Sequence, residues 1–169
     1  MIETERLILR RLTASDHEAL ESLFGNAEVM KSSVDGPLDS EEVATWLSDQ
    51  IGSYETGNGI ENLAAINRTT SELIGCCGLT LYPDIDGVPE IEIGYRLARR
   101  FWGSGYATEA AIAIRDYAFT DLKIDRLVAL IEPVNKRSIR VAEKLGMKYE
   151  KDVMLDDYDY PDYLYAMRK

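Results

Sequence analysis

Cysteine, histidine and long apolar runs are scarce in this 169-residue chain, and each shortage removes a class of function. The only cysteines, Cys76 and Cys77, are adjacent within the strand-like run 73–79. Neighbours on a strand point to opposite faces, so the pair is expected to be core packing rather than a disulfide or a metal pair. A nucleophilic thiol wants a basic partner, and none stands near these two. The sole histidine, His17, lies in the polar turn that opens the first helix, far in sequence from every other motif, and no metal site is expected. Residues 1–10 alternate charged and apolar side chains without an apolar run, which argues against a signal peptide or membrane span and for a cytoplasmic protein. There is no Gly-Lys-Ser, Gly-Lys-Thr or complete G-x-G-x-x-G, so nucleoside triphosphate chemistry falls away.

Basic residues are also in deficit. Nineteen Lys and Arg face thirty Asp and Glu, a formal charge of −11 that argues against nucleic acid as the main partner. The deficit is uneven. Residues 1–95 carry 5 basic and 18 acidic side chains and 149–169 carry 3 and 6, but 96–148 carry 11 and 6. A basic middle segment between acidic ends suits an anionic cofactor and a cationic co-substrate.

That middle segment holds the most informative run, Arg100-Phe101-Trp102-Gly103-Ser104-Gly105-Tyr106-Ala107. Two close glycines let the backbone bend tightly and approach a ligand. From Ala107 the apolar residues Ala110, Ala111, Ile114, Tyr117 and Ala118 follow at helical spacing. A helix therefore opens on the glycine loop, and its unpaired N–H groups and positive dipole end favour a phosphate or pyrophosphate. Arg100, with Arg99, would add charge. A Gly-x-Gly alone is equally compatible with a tight strand-to-helix turn.

The remaining pattern reads as one domain, 1–169, without repeat or linker. Strands are expected at 6–12, 63–67, 73–82, 90–97, 126–131, 147–155 and 163–167. Turns are expected at 68–72, 83–89 and 156–161. Helices are expected after Thr13-Ala14-Ser15-Asp16, from Asp39 or Ser40 until Gly57-Asn58-Gly59, after the glycine loop, and from Asn135 to a stop at Gly146. Seven strands and four helices in this order make a mixed α/β (α+β) sheet with helices packed on it.

Three segments together resemble the GNAT N-acetyltransferases: Glu92-Ile93-Gly94-Tyr95-Arg96-Leu97; Arg100-x-x-Gly103-x-Gly105-Tyr106-Ala107-Thr108-Glu109-Ala110; and Asn135-x-x-Ser138 leading to Glu143-Lys144-Leu145-Gly146-Met147. The opening 2–10 resembles the RimJ/RimL-like branch. The resemblance implies a mostly antiparallel seven-stranded sheet with helices on both faces and a V-shaped splay between strands 90–97 and 126–131. It implies acetyl-coenzyme A as co-substrate. Main-chain groups of Tyr95, Arg96 and Leu97 would pair with the pantetheine arm, the amides of Phe101 to Ala107 would hold the pyrophosphate, and the Asn135 side chain would bond the pantetheine or simply cap its helix.

Acetyl transfer to an amine needs a neutral nitrogen, a stabilised oxyanion and a protonated leaving thiolate. Glu92 is the first candidate for the base, and Glu90, on the same face, is the second. A backbone N–H near Arg96 or Leu97 would meet the oxyanion. The tyrosine that many superfamily members use as the acid is replaced here by Ala142, and the RimJ/RimL-like pattern puts Ser138 in its place, with Tyr149 or water as alternatives. The acidic, tyrosine-rich stretch 156–163 would lie by the acceptor groove and receive a cationic amine. The acceptor could be a protein N-terminus or a small amine, and the protein a monomer or homodimer. The rival reading is a non-catalytic acyl-coenzyme A-binding module.

Overall fold

Alternating apolar positions and well-formed caps specify the elements found in a computed structural model, which describes residues 1–56, 58–155 and 159–169. In chain order these are β1 (Ile2–Glu3), β2 (Leu7–Arg11), α1 (His17–Phe24), α2 (Ser40–Ser53), β3 (Asn62–Asn67), β4 (Leu73–Ile85), β5 (Val88–Leu97), α3 (Tyr106–Thr120), β6 (Arg126–Ile131), α4 (Lys136–Leu145), β7 (Lys148–Val153) and β8 (Asp162–Arg168). Asp39 begins α2 in a capping box: its side chain accepts from the Glu41 and Glu42 N–H groups at 2.9 Å, and Glu42 returns to the Asp39 N–H at 2.8 Å. The Asn135 carboxamide caps α4 through the Ser138 N–H at 3.1 Å, and Gly146 stops it at φ 91°.

The described strands form a single sheet of eight, in the order β1-β2-β3-β4-β5-β6-β8-β7, rather than the seven expected. The additional strand is β1, which pairs Ile2 with Leu9 and Glu3 with Ile8; two residues are too short to show a period in sequence. The turn expected at 83–89 is narrower than that range. Both strands run on to a two-residue turn at Asp86-Gly87, whose φ values of 53° and 85° fit a tight hairpin. The expected turn at 156–161 falls partly on residues 156–158, and the expected Gly57-Asn58-Gly59 break partly on Gly57, which lie outside the described residues.

Strand alternation divides the apolar residues between two faces. Helices α3 and α4 cover one, over Leu7, Leu9, Leu63, Ala65, Ile93, Leu97, Leu127 and Ala129. Helices α1 and α2 cover the other face over the β2–β4 half, against Ala64, Ile66 and Cys76. Cys76 and Cys77 belong to different faces, as alternation requires, and burial pushes the Cys76 thiol up to about 12. On the β6–β8 half of this second face, Val128, Leu164 and Ala166 pack with Ile85 and Val153.

Every neighbouring pair in the sheet is antiparallel except β5 and β6. These two run parallel and share one register pair, Glu92 with Val128. Beyond it β5 stays on β4 as far as Leu97, and β6 stays on β8 as far as Ile131. The sheet therefore splays open in a V after Glu92.

The close approach of β3 and β4 depends on Gly78, where an added Cβ would stand 2.3 Å from the Glu61 carbonyl oxygen and 2.5 Å from the Asn62 Cα. Both neighbours are backbone and cannot turn aside. Gly78→Ala is expected to lower stability by about 1–3 kcal/mol, read as a reduced urea midpoint with the slope unchanged.

Candidate active site

The splay exposes a set of backbone groups fixed by alternation. The Ala98 N–H donates to the Ile74 carbonyl at 2.8 Å, so even-numbered residues of β5 turn their main-chain groups toward β4. Ile93, Tyr95 and Leu97 turn theirs toward the opening. This corrects one expectation: the Arg96 main chain faces β4, and its side chain instead lies on the α1/α2 face, donating to Met30 Sδ at 3.0 Å. The Leu97 carbonyl is already taken by the Trp102 indole at 2.7 Å.

Past Leu97 the chain makes a short 3₁₀ turn and enters the glycine loop. Gly103 and Gly105 have φ of 76° and 86°, a region that disfavours any side chain, and Gly105 is the N-cap of α3. Phe101 and Trp102 spend their N–H groups on the Ala98 and Arg99 carbonyls, so the expected cradle narrows. Among the described residues no carbonyl accepts from the N–H groups of Gly103, Ser104 or Gly105, and Tyr106 and Ala107 lie in the first helical turn, where partners are lacking by geometry. Five consecutive amides at a helix N-terminus form an anion site that fits a pyrophosphate.

Phe101, Trp102 and Tyr106 anchor this loop. Phe101 packs edge-on against Tyr106 at 5.9 Å, and Trp102 lies between the Arg99 and Arg137 guanidiniums at 4.9 and 4.8 Å. The Tyr106 hydroxyl accepts from the Asn67 side chain at 3.2 Å. Arg99 and Arg100 point away from the amides, to Glu28 and Glu72 respectively. The cation on the loop is Arg6, which sequence reasoning missed. It donates to the Ser104 carbonyl at 2.9 Å, pairs with Glu109 at 2.6 Å and stacks on Tyr106 at 4.3 Å. No local pattern could reveal it, because Arg6 and Glu109 are 103 residues apart.

Asn135 and Ser138 stand at the start of α4, on the α3/α4 side of the splay. The Tyr95 hydroxyl donates to the Ser138 carbonyl at 3.3 Å and ties β5 to this turn. Tyr149 does not join them: it is on the outermost strand, with its hydroxyl donated to Asp152 at 2.9 Å. Ala142 is buried and offers no hydroxyl.

The opposite side of the splay is acidic. Glu90 is locked in a fork with Arg126 at 2.9–3.1 Å, and Arg126 also holds Glu150, so Glu90 has no freedom to act as a base. Glu92 is half-buried at the mouth of the V. Its Oε1 accepts the Leu130 N–H at 3.3 Å, replacing the ladder bond that the diverging strands no longer make. Burial outweighs the Leu130 and Tyr82 hydrogen bonds and pushes this carboxyl up to about 7. Further along, the β6/β8 register pairs Leu130 with Leu164 and Ile131 with Tyr163, so Glu132 and Asp162 fall opposite one another on the Glu92 face. Glu132 accepts from Ser32 at 2.5 Å and bonds Tyr160. Burial and the Glu132 charge push Asp162 up to about 6.

The Acetyltransferase (GNAT) domain model matches residues 6–148. The chain belongs to the GNAT acetyltransferase family. The Bacillus subtilis protein YkkB is 38% identical over 150 residues, which cover 89% of this chain and 86% of that one. N-acetyltransferase p20 of Bacillus licheniformis is 33% identical over 156 residues, covering 92% and 85%. A GNAT-family acetyltransferase from Bacillus anthracis superposes with a TM-score of 0.85 at 27% identity, over 99% of this chain and 97% of that one. The protein is thus an acetyl-coenzyme A-dependent acetyltransferase with the GNAT fold.

A raised carboxyl costs stability. Asp162 has an ordinary value of 3.8, so the folded state is penalised increasingly as the pH climbs from about 4 to about 6 and fully above that. Asp162→Asn is therefore expected to raise the Tm at pH 7.5, and the gain should vanish near pH 3.5, where both states are protonated. Equal Tm values for the two proteins at pH 7.5 would contradict this.

Proposed function

We propose that this acetyltransferase moves an acetyl group from acetyl-coenzyme A to a primary amine, either a protein N-terminus or a small cationic amine, by direct attack and without a covalent enzyme intermediate. One observation carries the reading: an anion cradle opens on one face of the splay, and a carboxyl tuned to about 7 stands on the other. The RimJ/RimL-like placement rests on the 2–10 segment and the Asn135-x-x-Ser138 pattern.

Acetyl-coenzyme A supplies the thioester. The amides of Gly103 to Ala107 would hold its pyrophosphate, with Arg6 adding charge. The outward main-chain groups of Tyr95 and the Leu97 N–H would pair with its pantetheine arm and polarise the carbonyl. Asn135 caps α4 with its amide oxygen and keeps its NH₂ for the arm. Glu92 takes the proton of the arriving ammonium, since a carboxyl near 7 is half-ionised at neutral pH and matched to proton transfer. As the N–C bond forms and the C–S bond breaks, the Ser138 hydroxyl gives its proton to the sulfur, and the second proton shed by the nitrogen restores the hydroxyl through solvent. Base and acid thus work from opposite faces of the sheet.

Thiol release with an amine panel tests the reaction. The wild-type kcat/KM should rise through pH 7 as Glu92 ionises. Glu92→Gln should abolish that inflection and reduce kcat by about 100-fold, and Ser138→Ala should lower kcat with little effect on KM. A variant with an unaltered pH profile and rate would lose its assigned role. Gly105→Val puts a Cβ in the φ 86° position and 3.3 Å from the Arg6 guanidinium. Calorimetry should find coenzyme A binding lost in a protein that remains folded by circular dichroism.

A further inference from the structure

Four polar side chains are buried among the described residues, and three of them are answered. Asp16 pairs with Arg10 at 2.7 and 2.8 Å, and Glu90 pairs with Arg126. Asn67 accepts the Thr69 and Thr70 N–H groups and donates to Tyr106. Asp162 is the exception. It is 5% exposed, and its Oδ1 is shielded from solvent with no hydrogen-bond partner.

Its surroundings make the omission costly. Glu132 lies directly across the strand pair, and like charges in that position repel. The donors on Glu132, Ser32 and Tyr160, are neutral. Among the described residues no lysine or arginine forms a salt bridge with either carboxylate. The nearby Arg96 instead favours the ionised form of Glu92. One carboxylate suffices to deprotonate a reacting amine, so two further negative groups on this face lack a counter-charge. A buried carboxylate facing a half-buried one, with no counter-charge between them, is a binding arrangement for a cation that is not part of the chain.

We propose that the acceptor carries a second ammonium group, held between Asp162 and Glu132 while the reacting amine meets Glu92, which makes the substrate a short aliphatic diamine or polyamine. This rests on the reading of the Glu92 face as the acceptor side. The spacing agrees: Glu92 engages Leu130, and Glu132, one residue past the end of β6, is two residues further along the chain on the same side, a rise of about 7 Å. A four-carbon chain spans such a gap between its two nitrogens. A peptide N-terminus without a nearby basic side chain would leave the pair unanswered.

The test compares putrescine with n-butylamine, matched in length and differing in one ammonium group, using the full chain, acetyl-coenzyme A and thiol release. Putrescine should exceed butylamine in kcat/KM by at least about tenfold, the scale of one charge-assisted contact, with most of the difference in KM. Asp162→Asn and, independently, Glu132→Gln should collapse that ratio toward one. Equal kcat/KM for the two amines in the wild-type protein overturns the proposal but leaves amine acetylation standing. Turnover of a peptide α-amine lacking a second cation as efficient as that of putrescine does the same. No turnover with any amine, despite coenzyme A binding, overturns the proposed function as well. Because the first comparison uses only wild-type protein, it does not depend on the folding of either variant.

Discussion

The divergence of β5 and β6 governs what the rest of this molecule can do. Two parallel strands that share only the Glu92–Val128 register pair cannot satisfy their facing backbone groups by continuing the ladder. Each strand is nevertheless held straight by its other neighbour, β4 or β8. The gap is therefore a consequence of two intact antiparallel sub-sheets meeting at one point, and it needs no local strain. Buried backbone donors and acceptors must find partners. Glu92 supplies one at Leu130, Trp102 supplies another at Leu97, and the outward groups of Tyr95 and the Leu97 N–H, beyond the Glu92–Val128 bridge, face the opening.

A splay of this kind is useful only if the adjoining anion cradle keeps a fixed distance from it. The 3₁₀ turn and the Trp102 bond tie the loop to the end of β5, while Arg6 and Glu109 tie it to β2 and the start of α3. Thr4 adds a third tie to Glu109 at 2.6 Å. The N-terminal segment, which adds only a two-residue strand to the sheet, thus acts mainly as a clamp on the cradle. Preorganised amides are worth more than mobile ones because their ordering is complete before the ligand arrives.

The donor half of the site was legible because its signals are local. Glycines at 103 and 105, the helical period that follows and the Asn135 cap each report a backbone requirement within a few residues. The acceptor half was legible only in outline. Glu92 could be chosen from its strand, but that Glu90 is consumed by Arg126, that Tyr149 is stranded at the sheet edge and that Glu132 opposes Asp162 are facts of register between distant strands. Period-2 alternation says which face a residue occupies and says nothing about its neighbour across the pair. The turn expected within 83–89 narrows to Asp86-Gly87, because β4/β5 pairing resumes at Ile85 and Val88 beyond the irregularity after Tyr82.

The two faces also differ in how their charges are settled. Around the cradle, Arg99, Arg100 and Arg6 each have an acidic partner, which would leave a bound anion's charge to the amide dipoles. On the acceptor face, Glu90 is balanced by Arg126, yet Glu92 and Asp162 are held at raised values by burial, and Glu132 answers only to hydroxyls. In a chain of net charge −11, a groove that gathers Glu92, Glu132 and Asp162 carries a negative potential that favours cations over anions there. Under the proposed function, a bound cation would offset the cost of burying Asp162, so acceptor affinity and that cost would share one origin. In the proposed function, acceptor selection would follow from where positive charge is missing, and donor selection from where the backbone is left open.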